Sequence, residues 1–226
     1  MSNEMLAPKV DVCLQVRPAR RALDVTVALV LLVVTLPVML VVACLVLLLE
    51  GRPVLFTQER VGENGLPFLL YKFRSMRTAD GPGVTAAHDV RVTRIGAVLR
   101  RTSLDELPQL WHVLRGQMTL VGPRPESVGL AMRYPQQCRF VLNARPGLTG
   151  PAQLAYRERA AVPPPGWTDG EAWYLTKLVP LRAAADLEFL ARPTVWRAVR
   201  YMLLTAGFLL GVVDPQRPVS PSRPLG

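Results

Sequence analysis

The chain has few cysteines, few aromatic side chains and fewer acidic than basic groups, and each shortage removes a class of function. Its cysteines, Cys13, Cys44 and Cys138, are odd in number and far apart, with no C-x-x-C spacing and no nearby pair of histidines. Neither a disulfide framework nor a zinc site is expected, and the thiols read as reduced. Aromatic residues make up 7% of the chain, too sparse and scattered for stacking platforms on single-stranded nucleic acid. No helix-turn-helix or zinc-finger pattern is present. His88 and His112 have no sequence partner for acid–base or metal work and read as structural. No internal repeat is visible.

Charge and hydropathy say what is there. Lys and Arg number 27 against 17 Asp and Glu, a formal net charge of +10. Half of the 226 residues are hydrophobic, 19% are charged, and the mean hydropathy is +0.23. That excludes disorder for the bulk of the chain and suits one domain, or one domain plus an anchor. With nucleic acid set aside, so basic a chain points to phosphorylated small molecules or an acidic membrane surface.

From Val25 to Leu49 no residue is charged, and only Thr26 and Thr35 carry hydroxyls. As a helix this run is about 37 Å long, enough to cross a bilayer core and too long for a signal-peptide core. Pro37 lies at its midpoint. Lacking an N–H, it frees the carbonyl of Val33, predicts a kink, and leaves the Thr35 hydroxyl as a candidate partner. Basic residues flank both ends: Arg17, Arg20 and Arg21 before, then Arg52, Arg60, Lys72, Arg74 and Arg77 after. Both flanks are thus expected on the cytoplasmic side. A bent helix that enters and leaves by one face fits these residues, and so does a tilted, kinked span.

Beyond the apolar run, Pro53–Gln58 and Leu66–Phe73 flank Gly62-Glu-Asn-Gly65 and predict a hairpin. Residues 78–93 read as a polar loop. Leu107, Leu110, Trp111 and Leu114 have the spacing of one helix face, with Gly116 as its stop. Val121-Gly-Pro-Arg-Pro125 must be a rigid turn, and Pro163-Pro-Pro-Gly166 breaks the chain again. A last helical stretch at 183–205 divides near Pro193. Val195, Trp196, Val199, Met202 and Leu203 line one side of it, with Arg192, Arg197 and Arg200 elsewhere. It suits a helix lying among lipid headgroups, or an ordinary amphipathic helix on a core. Beyond Asp214 the Pro/Ser/Arg-rich end is expected to be disordered.

The densest chemical cluster is Thr102-Ser-Leu-Asp105-Glu106-Leu-Pro-Gln109. Ser103 with Glu106 has the form of a capping box, but that places Pro108 inside the helix and explains the segment imperfectly. The other reading is a carboxylate pair among cations, one to attack and its neighbour to hold a metal. The cations are Arg74, the Arg94–Arg101 stretch, Arg124 between Pro123 and Pro125, and Arg145 before Pro-Gly-Leu-Thr-Gly150. Guanidinium forks suit diphosphate oxygens, and Arg124 and Arg145 are each restrained by a Gly/Pro turn.

Six blocks in order carry a resemblance. Phe56-Thr-Gln-Glu-Arg-Val-Gly62, Tyr71-Lys-Phe-Arg-Ser-Met76, Thr93-Arg-Ile-Gly96, Leu99–Trp111, Leu120-Val-Gly-Pro-Arg-Pro125 and Arg145-Pro-Gly-Leu-Thr-Gly150 resemble the bacterial sugar transferases that act on polyprenyl phosphate. These are the monotopic phosphoglycosyl transferases, here in their compact form. The resemblance implies an α+β, mostly helical fold: a basic segment 1–21, a re-entrant membrane helix within 22–50 broken at Pro37, a cytosolic and interfacial catalytic domain 51–213 with a small β-hairpin and interfacial amphipathic helices, and a tail 214–226. It implies transfer of a sugar 1-phosphate from a nucleotide-sugar, UDP-linked by expectation, to undecaprenyl phosphate at the cytoplasmic face of the inner membrane. Asp105 would be the nucleophile, with Glu106 beside it and Mg²⁺ held by the pair. Arg124, with Pro123 and Pro125, would meet nucleotide and phosphates. Lys72 and Arg74 would lie near the membrane-proximal phosphate, and Arg145 near the sugar diphosphate. A homodimer is left open, and no nucleic acid is implied. His112 stands where the family usually has Asn, and Pro151 where Trp often follows; both bear on sugar preference. The rival from another class is a basic membrane-anchored adaptor without catalysis, which leaves the two acids amid arginine-bearing turns unexplained.

Overall fold

The computed structural model describes residues 16–77, 90–156 and 169–213. The polar loop at 78–89, with His88, the Pro-rich break near 163–166, Cys13 and the tail beyond 213 lie outside the described residues. The fold is mostly helical, with two small sheets.

Helix α1, Pro18–Glu50, dominates the molecule at 33 residues, about 50 Å of helix. Pro18 starts it, where a missing N–H costs nothing, and Gly51 ends it at φ 72°. It is the one helix among the described residues long and apolar enough to cross a membrane. Its apolar side chains meet little protein: Val33, Val34, Leu40 and Leu48 are exposed, whereas Ala28, Val42 and Val46 are buried. The helix continues through Pro37 as a single element. The Thr35 hydroxyl does not serve the carbonyl that Pro37 frees. It donates instead to Leu31 O at 2.7 Å, one turn back on its own side of the helix.

The first turns of α1 are tied to the remainder of the chain. Asp24 accepts the Thr119 hydroxyl at 2.5 Å and the Leu120 N–H at 3.2 Å. Arg20 donates to Val121 O at 2.8 Å and to the Thr119 hydroxyl at 3.2 Å. Arg21 donates to Val113 O at 2.6 Å and Leu114 O at 2.8 Å, closing the end of the helix they belong to.

Strands β1 (Leu55–Val61) and β2 (Pro67–Phe73) form the predicted antiparallel hairpin, with Phe56 opposite Lys72 and Arg60 opposite Phe68. Gly65 and Asn64 supply the positive φ that its turn needs. Helix α2, Arg94–Thr102, is capped by Thr93, whose hydroxyl accepts Gly96 N–H at 3.0 Å. The capping-box reading of Ser103 is overturned. Ser103 adopts the left-handed conformation at φ 58°, ends α2, and begins a 3₁₀ segment, Leu104–Gln109, that its side chain does not cap. That tighter winding shifts the phase before α3, Leu110–Leu114. Leu110 is therefore buried, whereas Trp111, expected on the same face, is 48% exposed. Gly116 then turns the chain at φ 79°, as expected.

A second sheet was not anticipated. Strand β3, Thr119–Val121, pairs in parallel with β4, Gly147–Thr149. Between them lie α4, Val128–Met132, and a 3₁₀ stretch, Gln136–Asn143. Helices α5 (Pro151–Tyr156) and α6 (Gly170–Trp173) follow, then a π turn, Tyr174–Leu178. The final stretch divides at Pro193 as predicted, into α7, Val179–Ala191, and α8, Val195–Leu209. The main core joins Ala28 of α1, Leu70 of β2, Leu110 and Val113 of α3, Leu120 of β3, Phe189 of α7 and Ala198 of α8. Met202 packs against that core. Trp196 at 81% and Leu203 at 67% exposure point away from it.

The Asp24 junction yields a stability prediction. Asp24→Ala strands two buried donors and is expected to cost about 2–4 kcal/mol, read as a lower unfolding midpoint in nanodiscs. Asp24→Asn, which keeps an acceptor, is expected to cost less.

Candidate active site

Five stretches of chain converge on one cleft. It is lined by Arg60 of β1, Leu70 and Lys72 of β2, Glu106 and Gln109 of the 3₁₀ segment, Arg124 and Pro125 after β3, and Gly147, Leu148 and Gln153 around β4 and α5. Asp105 lies buried beside it at 6% exposure. Neighbouring residues of a 3₁₀ segment diverge by about 120°, so the two acids serve different surroundings. Asp105 turns inward, where Lys72 is its strongest positive neighbour. Glu106 reaches the cleft, its Oε1 3.6 Å from Arg124 Nη1.

The turn that carries Arg124 is built by close backbone approach. Gly147 N–H donates to Pro123 O at 2.7 Å, and Gly122 N–H to Thr149 O at 2.9 Å. A Cβ at Gly147 would lie 2.1 Å from Gly122 N, and one at Gly150 2.3 Å from Gly122 O. Only glycines let the Arg-Pro-Gly-Leu-Thr-Gly loop back the Gly-Pro-Arg-Pro turn so tightly. On the other side, Gln153 donates to Gly147 O at 3.2 Å. Its helix is held at the start, where buried Asp186 of α7 accepts Ala152 N–H at 3.2 Å.

Burial dominates the electrostatics. It pushes the Asp105 carboxyl up to about 6, with Glu106 adding to the rise and Lys72, Arg100 and Arg124 opposing it. Burial also brings Lys72 down to about 8, opposed by Asp105 and aided by Arg60 and Arg124. Each partner thus shifts against its attraction to the other, because desolvation outweighs the pair. A carboxylate and cations whose charged forms burial disfavours, gathered at a cleft, make this the candidate reactive site.

Of the residues singled out from sequence, Asp105, Glu106, Lys72, Arg124 and Pro125 come together here, and Pro123 braces the turn. Two arginines stand elsewhere. Arg74 donates to Arg52 O and Gly51 O, each at 2.8 Å, and to Glu50 O, closing the C-terminal end of α1. Arg145 donates to Glu63 Oε2 at 2.9 and 2.7 Å, latching the hairpin turn. His112 is structural, as read. Its Nε2 accepts Tyr71 N–H at 3.1 Å, and Nδ1 meets Gln117 Oε1 at 2.8 Å, which assigns the proton to Nδ1. Burial lowers its pKa and keeps the ring neutral. Pro151 opens α5.

Sequence reasoning passed over Arg60, Gln109 and Gln153. For Arg60 a signal existed: Phe56, Gln58 and Arg60 alternate along β1, so one strand face carries all three. Gln109 closes the Thr102–Gln109 cluster without a role of its own, and Gln153 gave no signal, because only tertiary folding brings it to the cleft. Among the described residues no cluster of three or more His, Cys, Asp or Glu could hold a metal alone.

The raised Asp105 value has a testable consequence for stability. An elevated carboxyl pKa penalises the folded, ionised form, and that penalty is absent below the unfolded value and complete above about 6. Without divalent cations, Asp105→Asn is therefore expected to be more stable than wild type at pH 7.5, by about 2–3 kcal/mol. The gap should widen by roughly 1–1.5 kcal/mol from pH 5 to pH 7.5 in thermal unfolding. A gap flat across that range would contradict the buried, strained carboxylate.

Comparison with known proteins accords with this geometry. The chain is 39% identical over 198 residues to the UDP-glucose:undecaprenyl-phosphate glucose-1-phosphate transferase of Caulobacter vibrioides, covering 84% of this chain and 69% of that one. It is 37% identical over 195 residues to the Escherichia coli protein of the same name, covering 84% of this chain and 39% of the relative. It is 38% identical over 143 residues to the UDP-N-acetylgalactosamine-undecaprenyl-phosphate N-acetylgalactosaminephosphotransferase of Aeromonas hydrophila, covering 61% and 34%. The chain thus spans only a minor part of the last two. The family model described as bacterial sugar transferase matches residues 15–211, from the start of α1 to beyond α8, and the protein belongs to that family.

Proposed function

We propose that this protein transfers a sugar 1-phosphate from a UDP-sugar to undecaprenyl phosphate, releasing UMP, as the opening step in building an exopolysaccharide or related glycoconjugate. The observation that carries this reading is the buried Asp105 beside a cleft lined by Arg60, Lys72 and Arg124. The substrates are those named for the relatives.

The mechanism follows from charge. At pH 7 a carboxyl with a pKa near 6 is mostly ionised, so Asp105 attacks without a base. Its oxygen bonds to the phosphorus that bears the sugar, and the bridging bond to the second phosphate breaks. UMP leaves with the electron pair, and an aspartyl-phosphosugar remains. A phosphate oxygen of the lipid acceptor then attacks the same phosphorus and returns Asp105 to its carboxylate. Arg124 and Lys72 draw the anions together and offset charge gathering on the leaving UMP. Two steps let two anionic substrates use one cationic cleft in turn.

Glu106, which reaches the cleft, and Asp105 at its border would be the carboxylate donors for Mg²⁺. The ion is commonly held by one or two carboxylates plus substrate phosphates, and a carboxylate whose charge is penalised by burial favours a cation. Bound there, it would neutralise diphosphate oxygens.

The same reading assigns the chain to the cytoplasmic face of the bacterial inner membrane. Helix α1 would enter the bilayer and return at Pro37, consistent with basic residues at both ends. The exposed Trp196 and Leu203 of α8, with Arg200 beside them in a shallow apolar groove, suit the headgroup layer.

The test uses full-length protein in nanodiscs with Mg²⁺, undecaprenyl phosphate and UDP-sugars including UDP-glucose and UDP-N-acetylgalactosamine. Lipid-dependent UMP release is expected with one of them, and Asp105→Asn should lower it by at least about a thousandfold. Without acceptor, the wild type should gain the mass of a sugar phosphate and the variant should not. Residual turnover above a few per cent in the variant would remove Asp105 as nucleophile. Silence of folded wild type with every nucleotide-sugar would leave the adaptor reading.

A further inference from the structure

Arg60 is the cation of the cleft that no assigned role accounts for. It stands opposite Phe68 on β1, on the strand face it shares with Gln58 and Phe56. Its guanidinium is tethered from two directions. Nη2 donates to Gln58 Oε1 at 2.7 Å, while Nη1 donates to Pro125 O at 3.2 Å and meets Glu126 Oε1 at 3.5 Å. The tether leaves donors over: Nε–H is buried with no hydrogen-bond partner, and Nη2 uses only one of its two N–H groups on Gln58. What sets Arg60 apart is its place in the cleft beside Lys72 and Arg124 with Nη2 not fully used. A guanidinium N–H that the tether does not use can donate to an oxyanion in the cleft.

The surroundings make the imbalance sharper. Arg60 shares the cleft with Lys72 and Arg124. Burial first, and then the Arg124 charge, lower its pKa, and Glu126 offsets only part of that. Glu126 does not depend on Arg60 in return. It accepts Tyr134 OH at 3.0 Å, Tyr174 OH, and Ser127 N–H at 2.9 Å. Arg182 supports Tyr174 from behind at 2.9 Å. The carboxylate is therefore a fixed post, anchored by phenols from two other elements, against which Arg60 is set.

We propose that Arg60 is a further phosphate-binding residue of this cleft, contacting a substrate phosphate through the donors its tether leaves over, and that Gln58 and Glu126 are positioning residues that hold it there. The proposal rests on the phosphotransfer reading above. The phosphate is either the diphosphate of the nucleotide-sugar or the monophosphate of the lipid acceptor.

Kinetics distinguish the two. Arg60→Gln leaves Glu126 three donors, so the fold should persist, and Arg60→Lys keeps the charge but removes the fork. Each is assayed in nanodiscs with UDP-sugar varied at fixed undecaprenyl phosphate, and the reverse. The expected result is a KM raised by about tenfold or more for one substrate in both variants, with kcat less affected. A rise for the UDP-sugar assigns the donor diphosphate, and a rise for the lipid assigns the acceptor. Both KM values within about twofold of wild type, in either folded variant, would overturn the proposal. Glu126→Gln keeps an acceptor for the tyrosines and should raise the same KM by a smaller factor. A fall in kcat alone would remove Glu126 as a positioning residue.

A binding arm separates failure of this proposal from failure of the transfer reading. On the Asp105→Asn background, UDP and undecaprenyl phosphate are each tested as thermal stabilisers. Adding Arg60→Gln should abolish the shift from one of them, whether or not the wild type turns over any sugar. Two unchanged shifts would overturn the phosphate contact.

Discussion

Asp24 is the joint on which the remaining geometry hangs. Its carboxylate, inside the first turns of an otherwise apolar helix, takes the Thr119 hydroxyl and the Leu120 N–H. That fixes β3, whose three residues would be too few to hold a place alone. Strand β3 in turn sets β4 by parallel pairing, and β4 carries the glycines that back the turn bearing Arg124. A polar group in the apolar helix thus determines where a cation stands in the cleft. Arg20 reinforces the joint from the same helix, and its guanidinium lies 5.0 Å from the centre of the Phe189 ring, bringing α7 into it.

The cleft itself runs against the logic of the surrounding fold. Several buried polar groups elsewhere are satisfied: Glu126 by two phenols, His112 at both ring nitrogens, Asp186 by a backbone N–H. Around Asp105 the chain instead gathers a carboxylate and cations whose charged forms burial disfavours. Local consistency fails there, as it commonly does at functional sites.

What the sequence made legible was mostly local. The hairpin followed from two strand-like runs around a glycine-bounded turn, the α7–α8 division from Pro193, and the long helix from an uncharged run. The motif residues Asp105, Glu106, Lys72 and Arg124 were legible as well, and the fold brings them together. The failures have specific causes. The capping box at Ser103 failed because left-handed backbone and 3₁₀ winding are invisible to a pattern that assumes α-helix from the cap onward. Trp111 left the predicted core face for the same reason. The contacts of Arg74 with the carbonyls of residues 50–52 and of Arg145 with Glu63 had no sequence signal, because only tertiary folding brings those groups together. The β3–β4 pair was missed because a parallel partnership of three-residue strands has no short-range signal.

Arg74 has a mechanical meaning beyond its bonds. It clasps the carbonyls of Glu50, Gly51 and Arg52, at and just beyond the end of α1, from a position just past the end of β2, two residues along from Lys72. Successive residues on one side of an extended chain are separated by about 6.6 Å. The end of the apolar helix and a cation of the cleft are therefore surveyed from a single benchmark. Whatever medium takes up the helix receives the cleft at a set elevation above it, with no flexible connector to absorb an error in depth.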